Sequence, residues 1–241
     1  MRIRAFLAAV ALASLTALAS LAHPARADEP ANVTYSPLPP GMVVQNHLVY
    51  IAGEAMHSQW HAVTSRKQVG TYADKPFYQW YLSIYEINGS TYELKYQSPK
   101  NGPPLSAVSH SSDGKMWFPT QSISIVGQAE LMQPAVQQLV VASHETGADC
   151  GTALVTVLGT NRAGSIFPEV SVQNACDLDA KIVKTPSGGS ALQLTGPYYN
   201  STAALCCPTK TSATATLTYA NGTWTQSPKY FTVYPGKFPP H

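Results

Sequence analysis

Two adjacent cysteines, in Leu205-Cys206-Cys207-Pro208, are the most distinctive chemical feature of this 241-residue chain. The other two cysteines, Cys150 and Cys176, flank a stretch whose pattern is typical of a β-hairpin. A turn centred near Ala163 would place them directly opposite each other, with about 5 Å between their Cα atoms, within reach of a disulfide. Four cysteines allow three connectivities, and this register favours Cys150 with Cys176.

Cys206 and Cys207 would then have only each other as partners. A disulfide between neighbours closes a small ring, and strained bridges are reduced more easily than relaxed ones. Three interpretations stay open: a rigid corner that presents a loop, a different connectivity, and a redox-labile switch. A thioredoxin-like site would need Cys-x-x-Cys at the start of a helix, and the sequence contains no such motif.

Glu54, His57 and His61 form the pattern E-x-x-H-x-x-x-H. If residues 54–64 were helical, the two histidines would lie one turn apart and could bind zinc. The third ligand would come from a distant histidine: His47, His110 or His144. The same segment also fits an irregular loop with surface histidines, and the metalloprotease order H-E-x-x-H is absent.

Aromatic residues before the cysteine pair suggest a ligand surface, because flat rings stack on sugars. We predict a ligand-facing loop that includes Tyr198, Tyr199, Leu205 and Pro208. The alternative is that these tyrosines, among 13 in the chain, fill a core or pair across strands. A further alternative is a calcium site, because three acidic residues lie close to Cys150 and Cys176 in the sequence. They are Asp149, Asp177 and Asp179.

Turn signals at short intervals predict an all-β protein, an antiparallel meander forming a rolled sheet or a sandwich, with little helix. The chain holds 19 Pro and 16 Gly, and long helical periodicity is almost absent. Residues 28–45 are expected to form an extended N-terminal segment, and residues 46–241 an all-β region that could divide near 98–114. The predicted strands are residues 80–87, 90–97, 116–126, 139–143, 151–158, 166–174, 178–184, 191–195, 213–220 and 223–226.

Two Asn-Gly pairs, Asn88-Gly89 and Asn221-Gly222, predict type I′ hairpin turns, because these residues accept the positive φ angles that such turns need. The face of the first hairpin that carries Leu82 and Ile84 is expected to be the more exposed one. The expected cross-strand pairs are Ile87 with Ser90, Tyr85 with Tyr92, Tyr81 with Tyr96, Tyr219 with Trp224, Leu154 with Val172, and Leu158 with Pro168.

The N-terminus is typical of an export signal. Arg2 and Arg4 precede an apolar stretch over residues 5–22, and Ala25-Arg26-Ala27 offers a cleavage site. We predict cleavage after Ala27 and a secreted or periplasmic product. Loss of the leader's three arginines changes the balance from 15 Lys+Arg against 13 Asp+Glu to a net charge of −1, which argues against nucleic-acid binding. No later apolar stretch is long enough to span a bilayer.

Residues 139–241 contain four short elements that are distinctive in combination. They are Gly147-Ala148-Asp149-Cys150-Gly151, Cys176 after a strand, Tyr198-Tyr199 leading into Leu205-Cys206-Cys207-Pro208, and Asn221-Gly222-Thr223-Trp224. In these elements the chain resembles bacterial envelope lipoproteins of the LppP/LprE type. The resemblance implies an exported envelope component without an assigned reaction. The lipid-acceptor cysteine is absent near the end of the leader, so the resemblance does not carry over a membrane anchor.

The sequence therefore predicts an exported, non-catalytic, monomeric envelope or periplasmic protein that acts by binding or structurally, without a cofactor. Its partner would be an unidentified envelope ligand or protein. Two alternatives belong to other classes: an exported metal-assisted hydrolase that uses His57 and His61, and a secreted inhibitor of a wall-degrading enzyme that uses the loop 196–208.

Overall fold

The computed structural model describes residues 41–52, 58–72, 75–89, 91–98, 109–110, 117–118, 122–144, 151–161, 164–200 and 208–238. This part of the chain is antiparallel β-structure without a helix, so the all-β prediction is confirmed. No described helix could cross a membrane. The strands are β1 (Met42–Ala52), β2 (Ser58–Tyr72), β3 (Lys75–Asn88), β4 (Thr91–Ser98), β5 (Ser109–His110), β6 (Trp117–Phe118), β7 (Ser122–Ala129), β8 (Gln138–His144), β9 (Thr152–Thr160), β10 (Ile166–Ala175), β11 (Asp179–Lys184), β12 (Ser190–Tyr198), β13 (Lys210–Ala220), β14 (Thr223–Ser227) and β15 (Thr232–Pro235).

The strands form three larger sheets and a two-stranded ribbon of β5 and β6. The N-terminal sheet has the order β1-β2-β3-β4, the central sheet β15-β10-β9-β8-β7, and the C-terminal sheet β11-β12-β13-β14. Within each larger sheet, strands that follow one another in the sequence pair as a meander. The exception is β15, which follows the C-terminal sheet in the chain but pairs with β10 of the central sheet. The predicted division near 98–114 falls mostly outside the described residues.

The central sheet is buried on both faces, which makes the fold a stack of three layers. Along β8, Leu139 and Val141 pack against the N-terminal sheet, while Val140 and Ala142 pack against the C-terminal sheet. A strand that is covered on both faces needs apolar residues at successive positions, which accounts for this run. The central and C-terminal sheets together are called the sandwich below.

The second Asn-Gly turn is confirmed. Asn221 and Gly222 have φ angles of 52° and 79°, as a type I′ turn requires. The turn pairs Tyr219 with Trp224, and the centroids of the two rings lie 5.2 Å apart. This hairpin follows local turn chemistry alone.

The first Asn-Gly hairpin forms, but the predicted turn at Asn88-Gly89 is wrong, and the register differs by two residues. Asn88 stays in its strand and pairs with Thr91, so that Ile87 pairs with Tyr92 instead of Ser90. The side chain of Thr91 stabilises this arrangement, because its hydroxyl donates to the Asn88 carbonyl at 2.9 Å. Tyr85 still contacts Tyr92 as a diagonal neighbour, with 6.0 Å between ring centroids.

A bulge shifts the same hairpin once more between Ile84 and Tyr85. It pairs Ile84 with Tyr96, where the sequence predicted Tyr81 as the partner of Tyr96. The shift turns Tyr96 into the core between the N-terminal and central sheets, beside Leu82 and Ile84. Burial raises the pKa of Tyr96 to about 12. The predicted exposure of Leu82 and Ile84 is therefore wrong, because the bulge lets this face be buried.

The hairpin of β9 and β10 also contains a bulge that the predicted register lacks. Leu158 pairs with Pro168 as predicted, but the register shifts by one between Pro168 and Val170. Leu154 consequently pairs with Gln173 instead of Val172. Proline cannot donate to the ladder and is tolerated in strands at bulges, so it marks the position of the shift.

This shift changes the argument for the disulfide. The backbone N–H of Cys176 donates to the Gly151 carbonyl at 2.8 Å, so Cys176 lies opposite Gly151. The predicted opposition of Cys150 and Cys176 is therefore wrong by one residue. The other three cysteines, Cys150, Cys206 and Cys207, lie outside the described residues, and the connectivity stays a prediction.

Candidate functional site

A cleft with a volume of about 570 Å³ opens at one end of the sandwich. Three parts of the chain form its wall: the connection between β7 and β8, the adjoining ends of β9 and β10, and the end of β13. Its lining residues are Met132, Gln133, Val136, Gln138, Gly159, Thr160, Asn161, Phe167, Glu169 and Tyr219. A volume of this size is typical of a small-molecule site.

The bulge in β10 positions the carboxylate of this cleft. Glu169 is the extra residue between Pro168 and Val170, and its carbonyl accepts a hydrogen bond from Gly236 N–H at 2.8 Å. The Glu169 side chain lies directly over Gly159, where a methyl group would overlap its Cγ and carboxylate. Gly159 is thus needed for the carboxylate to lie along the wall of the cleft.

Two amide side chains in the wall are fixed by the backbone. The buried Gln138 accepts a hydrogen bond at Oε1 from Leu131 N–H at 2.8 Å, which ties the β7–β8 connection to β8. Asn161 accepts one at Oδ1 from Ser165 N–H at 2.9 Å, which shapes the β9–β10 turn. Because each amide oxygen is held, the orientation of each amide group is set before any ligand binds.

Aromatic and apolar groups complete the wall. Phe167 is 37% exposed, unusual for a large apolar side chain in the described part of this protein. Tyr219 approaches from the C-terminal sheet and packs on Trp224. Apolar surface with a few oriented polar groups is the usual composition of a binding pocket. Among the described lining residues, Glu169 carries the charge.

The predicted ligand-facing tyrosines lie at the opposite end of the sandwich. Tyr198 packs against Tyr230, with 4.9 Å between ring centroids, and Tyr199 Oη lies 3.1 Å from Cys176 Sγ. Both tyrosines are half-buried, and Pro208 is half-buried as well. Leu205 lies outside the described residues. The structure thus gives both tyrosines contacts inside the protein, and their role in binding a ligand stays a prediction.

The structure overturns the helical reading of the histidine segment. Residues 58–72 form β2, so His61 lies in a strand; Glu54 and His57 lie outside the described residues. His61 is fully buried, and its Nε2 lies 3.2 Å from Nδ1 of His47, one of the suggested distant ligands. The described residues contain no group of three or more metal-binding side chains. The structure therefore joins two of the candidate ligands through a strand pair instead of a helix.

The suggested calcium site is only partly described. Asp177 Oδ1 lies 3.9 Å from His144 Nδ1, an ion pair when the imidazole is protonated. Asp179 begins β11, and Asp149 lies outside the described residues.

The sequence alone does not predict the cleft. Its wall combines segments that are far apart in the chain, and no single motif marks it. One local signal was present: Pro168 inside an apparent strand, followed by Glu169, indicates a bulge beside a functional surface.

Comparison of the chain with protein-family models, curated proteins and solved structures finds no match. The resemblance to LppP/LprE lipoproteins therefore stays a prediction that rests on the residues quoted above.

Proposed function

We propose that this chain is an exported, non-catalytic protein of the bacterial cell envelope that binds a wall component in the cleft of its sandwich. The observation that carries the proposal is the combination of an exposed Phe167 with a carboxylate that lies over Gly159 and an amide that a backbone N–H holds. A preorganised wall of this kind loses little conformational entropy on binding. The leader-like N-terminus and the envelope resemblance of the sequence support the location.

Cosedimentation with purified bacterial cell-wall sacculi tests this function. The chain without its predicted leader, residues 28–241, is expected to sediment with the sacculi, and Phe167→Ala is expected to lose most of that binding. Leu94→Ala is the matched control, because Leu94 is 36% exposed but lies in the N-terminal sheet. Equal binding by the wild type and both variants, or no binding at all, would overturn the proposal.

The pairing of His61 with His47 favours one alternative, an exported metal-assisted hydrolase. Two imidazole nitrogens 3.2 Å apart could occupy neighbouring positions around one zinc ion. In that case the purified chain would bind about one zinc per molecule, and His47→Ala would lose it without unfolding, since His47 is exposed. Zinc content that is unchanged by His47→Ala would remove this alternative; His144→Ala serves as the control.

A further inference from the structure

We propose that the N-terminal sheet carries a second binding site, in which the guanidinium group of Arg66 binds a carboxylate that is attached to an apolar group. The site is a row of side chains across β1, β2 and β3, called the arginine row below: Val43, Arg66, Tyr78 and Trp80. None of these residues lines the cleft of the sandwich, so this site is independent of the proposed function.

The strand register brings the arginine row onto one face of the sheet. Arg66 lies directly opposite Val43 in β1 and Trp80 in β3. Tyr78, two residues before Trp80, is its diagonal neighbour. Opposed and diagonal residues of antiparallel strands have their side chains on the same face. Leu82, two residues after Trp80, is fully buried in the core with the central sheet, whereas Tyr78 and Trp80 are half-buried. The row therefore lies at the rim of this core.

Two aromatic rings hold the guanidinium group in place. The Cζ atom of Arg66 lies 4.2 Å from the ring centroid of Tyr78 and 5.8 Å from that of Trp80. Such cation–π contacts attract the guanidinium to the ring faces but use none of its five N–H donors as conventional hydrogen bonds. The side chain is thus restricted before a ligand binds, which lowers the entropy that binding costs.

The donors of Arg66 are available to a ligand. No described carboxylate lies within ion-pair distance of Arg66, and its guanidinium makes no hydrogen bond to another described residue. The described acidic residues of this sheet, Glu86 and Glu93, both pair with Lys95, at 3.0 Å and 2.8 Å. A guanidinium binds a carboxylate through two parallel N–H···O bonds, which is the strongest arrangement for its fork of donors. A carboxylate from outside the described chain would supply these acceptors.

The charge and the apolar surroundings narrow the ligand class. Arg66 is the charged member of the arginine row, so a singly charged carboxylate balances it, whereas a phosphate dianion would keep an excess charge. The next cation in β2, Lys67, lies on the opposite face, because successive side chains of a strand alternate. Val43 is 59% exposed, and an apolar group beside the carboxylate would cover it. The C-terminal residue of a peptide combines a carboxylate with such a group.

NMR titration of isotope-labelled residues 28–241 tests the inference. The probes are N-acetylleucine, its neutral amide N-acetylleucinamide, and glycerol phosphate. We expect N-acetylleucine to shift the side-chain N–H signals of Arg66 and Trp80, and to bind about tenfold more tightly than the other two probes. Arg66→Gln should weaken its binding about tenfold. Lys67→Gln is the matched control, because it removes the same charge from the opposite face, and it should leave the binding within about twofold.

A conservative variant separates paired donors from charge alone. Arg66→Lys keeps the positive charge but loses the planar fork, so it should weaken the binding of N-acetylleucine about threefold or more. Binding by Arg66→Lys that equals that of the wild type would overturn the assignment. Equal losses in Arg66→Gln and Lys67→Gln would show unspecific attraction and would overturn it as well.

The remaining outcomes concern the ligand. Absence of any shift, binding of the neutral amide as tight as that of the acid, or tighter binding of glycerol phosphate would each show that the site does not take a carboxylate. Phe167→Ala in the cleft should leave the binding of N-acetylleucine unchanged, so failure of the wall-binding function and failure of this site are distinguishable. Circular dichroism of each variant shows that a loss of binding is not a loss of folding.

Discussion

The two ends of the sandwich use the same kinds of side chain in opposite ways. At the closed end, formed by Asn174, Cys176, Gly196 and Tyr199, the Asn174 amide donates to two carbonyls. These are Asp177 O at 2.7 Å and Pro197 O at 2.9 Å, so one side chain joins β10 of the central sheet to β12 of the C-terminal sheet. At the open end, which holds the cleft, the amides of Gln138 and Asn161 bond within their own segments.

The amide at the closed end contributes to the stability of the fold, whereas the amides at the open end shape the cleft. The Asn174 amide contributes two hydrogen bonds between the sheets at this end, and its loss costs free energy of unfolding. An amide that bonds within its own loop shapes that loop but does not hold the sheets together. The closed end is thus held across the two sheets by a side chain, whereas the described amides at the open end shape the wall of the cleft.

The largest expected effect belongs to the closed end. A methyl group on Gly196 would lie 2.5 Å from Asp177 O and 3.0 Å from Asn174 Nδ2. Because the first obstacle is backbone, Gly196→Ala should lower the free energy of unfolding by about 3 kcal/mol. Urea denaturation of residues 28–241 at pH 7 measures it. Gly189→Ala, where the nearest atom is a Thr185 side-chain oxygen at 3.3 Å, is the control and should cost less than about 1 kcal/mol. Equal losses would show that the two sheets are not in close contact at Gly196.

The second-largest loss of stability is expected from Cys176→Ala, which removes the predicted disulfide at the closed end. A Cys150–Cys176 bridge would close a loop of about 27 residues and contribute about 3 kcal/mol. Cys176→Ala should lower the free energy of unfolding by that amount under oxidising conditions and by much less in a reductant. Cys206→Ala should cost less than Cys176→Ala. Peptide mapping without reduction that links Cys176 to Cys206 or Cys207 would disprove the pairing.

Local chemistry explains which parts of this fold could be predicted from the sequence. The turn at Asn221-Gly222 needs only the φ preferences of its two residues, and its register was predicted correctly. The pair Asn88-Gly89 has the same residues, yet Asn88 stays in its strand opposite Thr91, and a bulge that buries Tyr96 shifts the register once more. Strand pairing that depends on a distant core cannot be inferred from the turn.

The sequence does not predict the cleft, for the same reason. Its carboxylate is placed by the bulge at Glu169, by the lack of a side chain at Gly159, and by the pairing of both strands. The stack of three sheets is likewise a property of packing: the apolar run of β8 indicates burial on both faces but not which sheets cover it. The disulfide register failed at Pro168, where the sequence did carry a signal for a bulge.

A smaller loss is expected when the amide bridge itself is removed. Asn174→Ala leaves the carbonyls of Asp177 and Pro197 without this donor, which should cost about 2 kcal/mol. Thr195→Ala is the control on β12, because its hydroxyl pairs with Thr214 at 3.4 Å on the surface and should cost under about 0.5 kcal/mol. If the two variants lost equal stability in urea denaturation, Asn174 would not be what holds the sheets together at this end.

The smallest change in stability, accompanied by a loss of binding, is expected for Gly159→Ala at the open end. The new methyl group would displace the Glu169 side chain, which can rotate toward solvent, so the free energy of unfolding should fall by less than about 1 kcal/mol. Sedimentation with sacculi should nevertheless drop, because the carboxylate leaves the wall of the cleft.

A double-mutant cycle isolates that contact. In a Glu169→Ala background the methyl group meets no carboxylate, so adding Gly159→Ala should cost no further stability, and the two changes should not be additive. If Gly159→Ala had the same cost with and without Glu169, the side chain would not lie over Gly159, and the open end would have no fixed carboxylate. A cost as large as that of Gly196→Ala would mean that both ends are equally rigid, and the contrast between a closed and an open end would fail.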